Sequence, residues 1–238
     1  MKMVLFDLDG TLLPMDQDVF VKSYFGKLAE KLVPYGYDSK ELIGAIWAGT
    51  MAMIRNDGSK SNEDVFWADF ASRYGGAKVR EDFHLFDEFY RNEFDEARKV
   101  CGYNPQAAEA VARIKGMGLR VALATNPIFP SIATEKRIGW AGLTPGDFEL
   151  YTTYENSSFC KPNPKYYRDV ARRLGVEPED CLMVGNDVGD DMPARETGMQ
   201  VFLLTDCLIN KENADISAFP HGGFDDLLRF LEGMEKIK

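Results

Sequence analysis

The sequence predicts an α/β fold in which a doubly wound parallel sheet forms the core and a smaller all-helical domain is inserted. Two observations support this prediction. Short apolar runs, typical of buried parallel strands, alternate with segments whose apolar residues have helical spacing. Between residues 16 and 98 the helical spacing continues without a convincing strand. We therefore predict a core domain over residues 1–15 and 99–238, and a helical domain over residues 16–98.

The predicted strands are apolar runs that stop at polar residues or glycine. The first run, residues 3–6, is followed directly by Asp7, as expected where a buried strand reaches the edge of its sheet. Three further runs and one weaker candidate follow this strand. The three runs cover residues 119–124, 181–184 and 201–204, and the weaker candidate covers residues 148–152.

Two helices of the core are predicted from their end signals. Asn104 and Pro105 are typical of a helix start, and Gly116 is typical of a helix end. Pro164 opens a second helix, which Gly175 ends. Helices between successive strands are what a doubly wound sheet requires.

The inserted domain is predicted to contain four helices. Ser61 and Asp64 resemble a capping box at the start of the third. Helical spacing marks the other three: Phe20, Tyr24, Leu28 and Leu32; Leu42, Ile46 and Met53; and Phe86, Phe89, Tyr90 and Phe94. Some large side chains here belong either to the core or to a substrate pocket, and spacing favours the core: Phe20, Tyr24, Trp47, Met51, Arg55 and Trp67.

The overall charge limits the possible partners. The formal net charge is −10, and no block of Lys or Arg offsets it, which argues against nucleic acid and anionic membranes as partners. A phosphorylated substrate would also be repelled, so its site would need a metal ion and local cations.

Cysteine and histidine usage argues against zinc and redox sites. The four cysteines are far apart without a C-x-x-C pair, and His84 and His221 are the only histidines. The apolar stretch before Asp7 is too short for a signal peptide or a membrane span. We therefore expect a cytoplasmic protein with structural thiols.

Asp7 and Asp9 are separated by one residue in the segment FDLDGT, directly after the first predicted strand. On a continuing strand their carboxylates would point the same way. Two carboxylates ~4 Å apart repel by ~4 kcal/mol at an effective dielectric constant near ~20, so they require a shared proton or a cation. A bare D-x-D pair is equally compatible with solvated turn or helix-cap aspartates, so the pair alone does not define a site.

Polar groups suited to phosphate or metal binding also follow the other predicted strands. Because ligands of open α/β sheets bind at the carboxyl ends of the strands, we expect these groups to meet. Each one taken singly also fits a helix cap, a surface lysine or a solvated turn. The groups are Thr125 and Asn126 after the second strand, Lys161 in the segment CKPNP, and Asn186, Asp187, Asp190 and Asp191 after the strand at 181–184.

The segments FDLDGT, ATN, CKPNP and VGNDVGDD resemble, in order and spacing, the four motifs of the haloacid dehalogenase superfamily. The resemblance extends from Asp7 to Gly198. It implies a Rossmann-like core with a helical cap domain inserted after the first motif, where the helical domain is predicted. It also implies a Mg²⁺-dependent phosphatase whose substrate is a small phosphorylated molecule.

By this resemblance Asp7 is the nucleophile, and Asp9 is the general acid and base. Lys161 and Thr125 complete the implied catalytic set. The residues implied to bind phosphate are Thr11, Thr125, Asn126 and Lys161, and those implied to bind Mg²⁺ are Asp7, Asp9, Asn186 and Asp187, with Asp191 supporting them.

The fourth motif departs from the usual Gly-Asp pair, because Asn186 follows Gly185. An asparagine can bind Mg²⁺ through its carbonyl oxygen but brings no charge. Asp187 is the alternative ligand, and the sequence leaves the choice open.

Several functions remain open at this stage. Asp9 favours phosphoryl transfer over dehalogenation, since a halide leaving group needs no acid and dehalogenases typically lack an aspartate at this position. A phosphomutase would share all four motifs, and a non-catalytic binding module is also compatible with the departure at Asn186. The oligomeric state is left between a monomer and a weak dimer.

Overall fold

The computed structural model describes residues 1–235. Five parallel strands form one sheet in the order β2-β1-β3-β4-β5, so the first strand is central. This arrangement confirms the predicted α/β class. The strands are β1 (Met3–Phe6), β2 (Arg120–Leu123), β3 (Cys181–Gly185), β4 (Gln200–Leu204) and β5 (His221–Gly222).

Helices cover both faces of the sheet, as the doubly wound prediction requires. Val4 and Phe6 of β1 belong to one apolar cluster, whereas Met3 and Leu5 belong to the cluster on the other face. This division follows from the alternation of side chains along a strand. The core helices are α5 (Pro105–Gly116), α6 (Ser131–Trp140), α7 (Pro164–Leu174) and α8 (Phe224–Glu235).

The end signals of α5 and α7 are confirmed. Asn104 caps α5 by accepting a hydrogen bond from the backbone N–H of Gln106. Gly175 ends α7 in a left-handed conformation, with φ of 66°, which a residue without a Cβ adopts at little cost.

The weaker strand candidate at 148–152 is wrong as a strand. Leu123 and Tyr151 form only an isolated bridge there. The backbone N–H of Leu123 donates to Leu150, and that of Thr152 donates to Leu123, so the segment runs beside β2 without a continuous ladder. Its Glu149 side chain turns outward to bind Arg120, which fits an open edge of the sheet.

Four helices lie between β1 and α5, as predicted, and a 3₁₀ segment at Glu93–Val100 follows them. The side chain of Ser61 caps the third helix by accepting a hydrogen bond from the N–H of Asp64. We refer to residues 17–100 as the helical segment. Its helices are α1 (Gln17–Leu32), α2 (Ser39–Ile54), α3 (Asn62–Tyr74) and α4 (Gly76–Arg91).

The prediction that the large side chains of this segment are core residues is partly wrong. Phe20 and Tyr24 are buried in the main apolar cluster, and Trp67 packs against it. Trp47 is 48% exposed and Met51 is 40% exposed. They lie on the outer side of α2, which helical spacing alone could not distinguish from its inner side.

None of the helices in the described residues combines the length and the apolar character that a membrane crossing requires.

Candidate active site

A cavity of ≈ 140 Å³ lies at the carboxyl edge of β1, β2 and β3. The loops that follow these strands supply its polar wall, and the start of α1 faces them from the helical segment. Nine of the ten residues singled out from the sequence line this one cavity: Asp7, Asp9, Thr125, Asn126, Lys161, Asn186, Asp187, Asp190 and Asp191. The tenth, Thr11, is not among the lining residues.

Lys161 joins two carboxylates at the bottom of the cavity. Its Nζ donates to Oδ1 of Asp7 at 2.8 Å and to Oδ1 of Asp191 at 2.6 Å. Burial alone would lower the pKa of Lys161, but the carboxylates of Asp191 and Asp7 outweigh that effect and raise its pKa well above the usual value. Lys161 therefore stays protonated and provides a fixed positive charge beside Asp7.

Asp191 supports the site from behind. Its Oδ2 accepts a hydrogen bond of 2.9 Å from the backbone N–H of Asp187, so one carboxylate fixes both Lys161 and the acidic loop. Burial raises the pKa of Asp191 to about 7, against the opposing charge of Lys161. A Cβ at Gly185 would lie 2.1 Å from this carboxyl group, which explains the glycine at the end of β3.

Thr11 and Asn186 connect the first and fourth motifs beneath the cavity. The hydroxyl of Thr11 donates to Oδ1 of Asn186 at 2.9 Å and lies 3.4 Å from Oδ2 of Asp7. The amide Nδ2 of Asn186 donates to the carbonyl oxygen of Cys207 at 2.7 Å. The hydroxyl of Thr11 therefore lies behind Asp7 and is directed at Asp7 and Asn186.

Gly10 makes this packing possible. It has a φ of +84°, and a Cβ there would lie 2.3 Å from Nδ2 of Asn186. Both the left-handed conformation and the close approach require glycine. The glycine of FDLDGT is thus explained by contact with the fourth motif.

Asp9 is paired with Arg137, a residue that sequence reasoning missed. Nη1 of Arg137 donates to Oδ2 of Asp9, while Oδ1 of Asp9 is buried without a hydrogen-bond partner in the described part of the chain. Arg137 is 1% exposed, and its guanidinium group lies 4.2 Å from the ring centre of Phe129. Burial raises the pKa of Asp9 to about 6, although Arg137 acts in the opposite direction.

One sequence signal could have revealed Arg137. It falls on the same face of α6 as Ala133 and Trp140, which are both buried. A charged residue on the apolar face of a helix needs a partner of opposite charge. The segment lacked clear helix-end signals, so α6 was not predicted.

Thr125 and Asn126 follow β2 at the side wall. The backbone carbonyl of Thr125 accepts hydrogen bonds from the hydroxyls of Thr152 and Tyr166, at 2.6 and 2.8 Å. Oδ1 of Asn126 accepts a 3.3 Å hydrogen bond from the backbone N–H of Lys161. The backbone at Thr125 is therefore held firmly, and Asn126 aligns the second motif with the third.

The oxygen atoms that line the cavity are of the kind that binds a divalent cation. Within residues 1–235, no three His, Cys, Asp or Glu side chains are grouped as a metal cluster. Mg²⁺ differs from metals that need such clusters, because it keeps several waters and uses one or two carboxylates. Asp7 and Asp187 supply two carboxylates on the same cavity wall, and Asn186 adds an amide oxygen.

Asp187 and Asn186 differ in how many of their side-chain polar atoms already form hydrogen bonds. Both polar groups of Asn186 already bind Thr11 and Cys207. Asp187 uses Oδ1 to accept hydrogen bonds from the N–H groups of Gly189 and Asp190. These contacts shape the acidic loop and leave Asp187 with a charged oxygen at the cavity.

The comparisons with known proteins agree with this architecture. The sequence matches the haloacid dehalogenase-like hydrolase family over residues 1–197. It is 32% identical to phosphoserine phosphatase of Thermus thermophilus over 219 residues, which cover 81% of this chain and 83% of that protein. It is 24% identical to pyrophosphatase PpaX of Bacillus cereus, covering 98% of this chain and 97% of that protein.

Solved structures with low sequence identity share the fold. A 2-haloacid dehalogenase from Pseudomonas syringae pv. Tomato DC3000 superposes with a TM-score of 0.63 at 18% identity, covering 98% of this chain and 99% of that chain.

Proposed function

The chain belongs to the haloacid dehalogenase-like hydrolase family, and we propose that it hydrolyses small phosphomonoesters through a phosphate group bound covalently to Asp7. One observation carries the proposal. The carboxylate of Asp7 lies in the cavity beside a buried, protonated lysine, and Asp9 lines the same cavity. This arrangement provides both a nucleophile and a proton donor.

Asp7 attacks the phosphorus atom of the bound ester, and the bond from phosphorus to the alcohol oxygen breaks. Asp9 gives its proton to the leaving oxygen, so the alcohol departs neutral. Asp9 then accepts a proton from a water molecule that attacks the phosphorus atom of the phospho-aspartate. Inorganic phosphate leaves, and Asp7 and Asp9 return to their starting states. A pKa of about 6 for Asp9 suits both proton transfers near neutral pH.

Lys161 and the groups around Thr125 bind the phosphoryl oxygens. Lys161 contributes charge, and the side chain of Thr125 and the backbone N–H groups after β2 contribute hydrogen bonds to negative charge that develops during the transfer. Asn126 completes this wall. Thr11 acts through Asp7 and Asn186, since its hydroxyl is already directed at them.

A divalent cation, which we propose to be Mg²⁺, would be held by Asp7, the main-chain carbonyl of Asp9 and Asp187. When bound, it supplies positive charge that offsets repulsion between the acidic wall and the phosphate. Asn186 would support these ligand residues through its hydrogen bonds with Thr11 and Cys207.

We further propose that residues 16–98 form a cap domain on a core of residues 1–15 and 99–238. The start of α1 supports this, because Gln17, Phe20 and Val21 face the catalytic residues across the cavity. A cytoplasmic location and a monomeric or weakly dimeric state remain predictions from the sequence.

Phosphate release from a panel of phosphomonoesters tests the proposed function. We expect release with Mg²⁺ and none with an excess of chelator, restored by adding Mg²⁺. A phosphomutase would instead return phosphate to a second hydroxyl of its product, so little free phosphate would appear. Equal rates with Mg²⁺ and with chelator would contradict the cation's role.

A further inference from the structure

We propose that the physiological substrate is the phosphomonoester of an apolar, uncharged alcohol. This inference rests on the proposed phosphatase function and concerns the part of the cavity that would receive the leaving group. The wall opposite the phosphate-binding residues decides what that group can be.

The wall facing the leaving group is apolar. It is formed by Met15, Phe20, Val21, Ile128 and Phe129. Among the described residues, Gln17 is the one polar side chain that the helical segment adds to this cavity. A leaving group bound here would lose contact with water and gain contact with hydrocarbon side chains. This burial is favourable only where the surface of the leaving group is apolar.

The cavity offers no free cation for a second negative group. In the described part of the chain, Lys161 is the one Lys or Arg among the lining residues, and it already binds Asp7 and Asp191. Arg137 lies nearby but is buried and paired with Asp9. A carboxylate or second phosphate on the alcohol would therefore be desolvated without a partner, which is unfavourable.

A neighbouring open cleft does not compensate for this. It shares Met15 and Gln17 with the cavity, and its charged residues are Asp16, Asp18 and Lys211. Two carboxylates against one ammonium group leave the cleft net negative. An anionic leaving group that reached toward this cleft would therefore meet repulsion there as well.

Apolar space continues beyond Ile128. This residue lines both the catalytic cavity and a smaller cavity of ≈ 30 Å³ between the helical segment and the core. The smaller cavity shares half of its lining residues with a third cavity of ≈ 190 Å³. The residues lining both are Trp67, Phe86, Tyr90, Pro130 and Tyr154.

The polar side chains of the smaller cavity are already hydrogen-bonded. The hydroxyl of Tyr90 is 2.7 Å from that of Tyr24, and Nε1 of Trp67 donates to the hydroxyl of Tyr154 at 3.4 Å. The smaller cavity therefore presents aromatic and aliphatic surface to a ligand, so an alkyl or aryl skeleton fits against Ile128. The third cavity is also lined by Glu63, Asp87 and Glu155, and its one cation among the described residues, Arg91, is paired with Asp87, so it offers no free cation either.

Relative rates on matched esters test this inference. We expect kcat/KM for n-butyl phosphate and phenyl phosphate to exceed that for phosphoserine, phosphoglycolate and pyrophosphate by at least roughly 10-fold, the low end for a partnerless polar group. Equal or higher values for the charged compounds would overturn the inference and leave the phosphatase function standing. If none of the five compounds, nor acetyl phosphate, yields phosphate with Mg²⁺, the proposed function fails and the inference fails with it.

A pair of variants tests the cause of the preference. Val21→Lys places a cation on the half-buried wall, and we expect it to raise the ratio of phosphoglycolate to butyl phosphate turnover by at least roughly 10-fold. Val21→Met, of similar length without charge, should leave this ratio unchanged. Gln17→Lys places a cation one helical turn earlier on α1 and should change the ratio in the same direction. If neither lysine variant changes the ratio, the missing cation does not set the specificity and the inference is overturned.

Discussion

At the residue scale, the main finding is that Asp9 is held by Arg137, 128 residues away in the chain. The ion pair occupies Oδ2 of Asp9, and Oδ1 is buried without a hydrogen-bond partner among the described residues. The guanidinium carbon of Arg137 lies 4.2 Å from the ring centre of Phe129, a second contact that holds it in place. We therefore infer that Arg137 positions the carboxyl group of Asp9, the proposed general acid and base.

Arg137→Met should lower kcat by about 10²-fold, the low end of the range that general acid–base catalysis contributes. KM should change little, because Arg137 does not line the cavity. Arg137→Lys should recover part of the loss by restoring the charge. Steady-state kinetics measure kcat and KM of both variants. Thermal unfolding confirms that both variants are folded. Unchanged kcat in folded Arg137→Met would show that Asp9 needs no such partner.

The Mg²⁺ dependence of activity in variants of Asp187 and Asn186 shows which of the two residues binds the cation. Asp187→Ala should raise the Mg²⁺ concentration for half-maximal activity by at least ~10-fold, about 1.4 kcal/mol. Asn186→Asp should bind Mg²⁺ equally or more tightly, since it adds charge at the site. If Asn186→Ala abolishes the Mg²⁺ response and Asp187→Ala does not, Asn186 is the ligand and our preference for Asp187 is wrong.

At the scale of elements, the start of α3 is fastened to two catalytic loops. Nδ2 of Asn62 donates to the carbonyl oxygen of Pro127 at 3.1 Å and lies 3.3 Å from Sγ of Cys160. Pro127 follows the second motif, and Cys160 precedes Lys161. Asn62 is fully buried, so movement of α3 away from the core must break these contacts.

Alkylation of Cys160 should report that movement. Burial raises the pKa of Cys160 to about 12, so the thiol stays protonated and unreactive below that pH while it is buried. Asn62→Ala should speed its alkylation by at least roughly 5-fold, about the net value of one hydrogen bond. Mass spectrometry of the labelled peptide measures the rate, and Asn92→Ala at an exposed position serves as control. Equal rates in the two variants would show that Asn62 does not fasten α3.

The elements with clear end signals or long apolar periodicity could be predicted from the sequence. These include β1, α5 and α7, whose capping residues act locally. The two-residue strand β5 could not be predicted, because its pairing depends on β4 rather than on its own composition. The helix α6 could not be predicted because its start has no side-chain cap and the segment lacks clear helix-end signals.

At the scale of the molecule, the grouping of the site residues could be predicted because parallel strands place their carboxyl ends at one edge. The contacts that hold the site residues in place could not be predicted from the sequence. The contacts of Thr11 with Asn186 and of Asp9 with Arg137 join distant positions through tertiary packing, which spacing along the chain does not record.

The proposed cap should move against the core during the catalytic cycle, because the cavity lies between them and must admit substrate. Hydrogen exchange of α1 and α3 should slow when a phosphate mimic such as fluoroberyllate is bound with Mg²⁺. The strands β1 and β3 should change little and serve as an internal reference. Identical exchange in α1 and α3 with and without the mimic would count against a mobile cap.

The most direct test of the central claim is to trap phosphate on Asp7. Asp9→Asn should slow water activation more than transfer to Asp7, so a phospho-enzyme should accumulate on mixing with a labelled substrate and Mg²⁺. Mass spectrometry should place the added phosphate on Asp7, and Asp7→Asn should show neither label nor turnover. Full turnover by Asp7→Asn, or phosphate attached to another residue, would contradict the account.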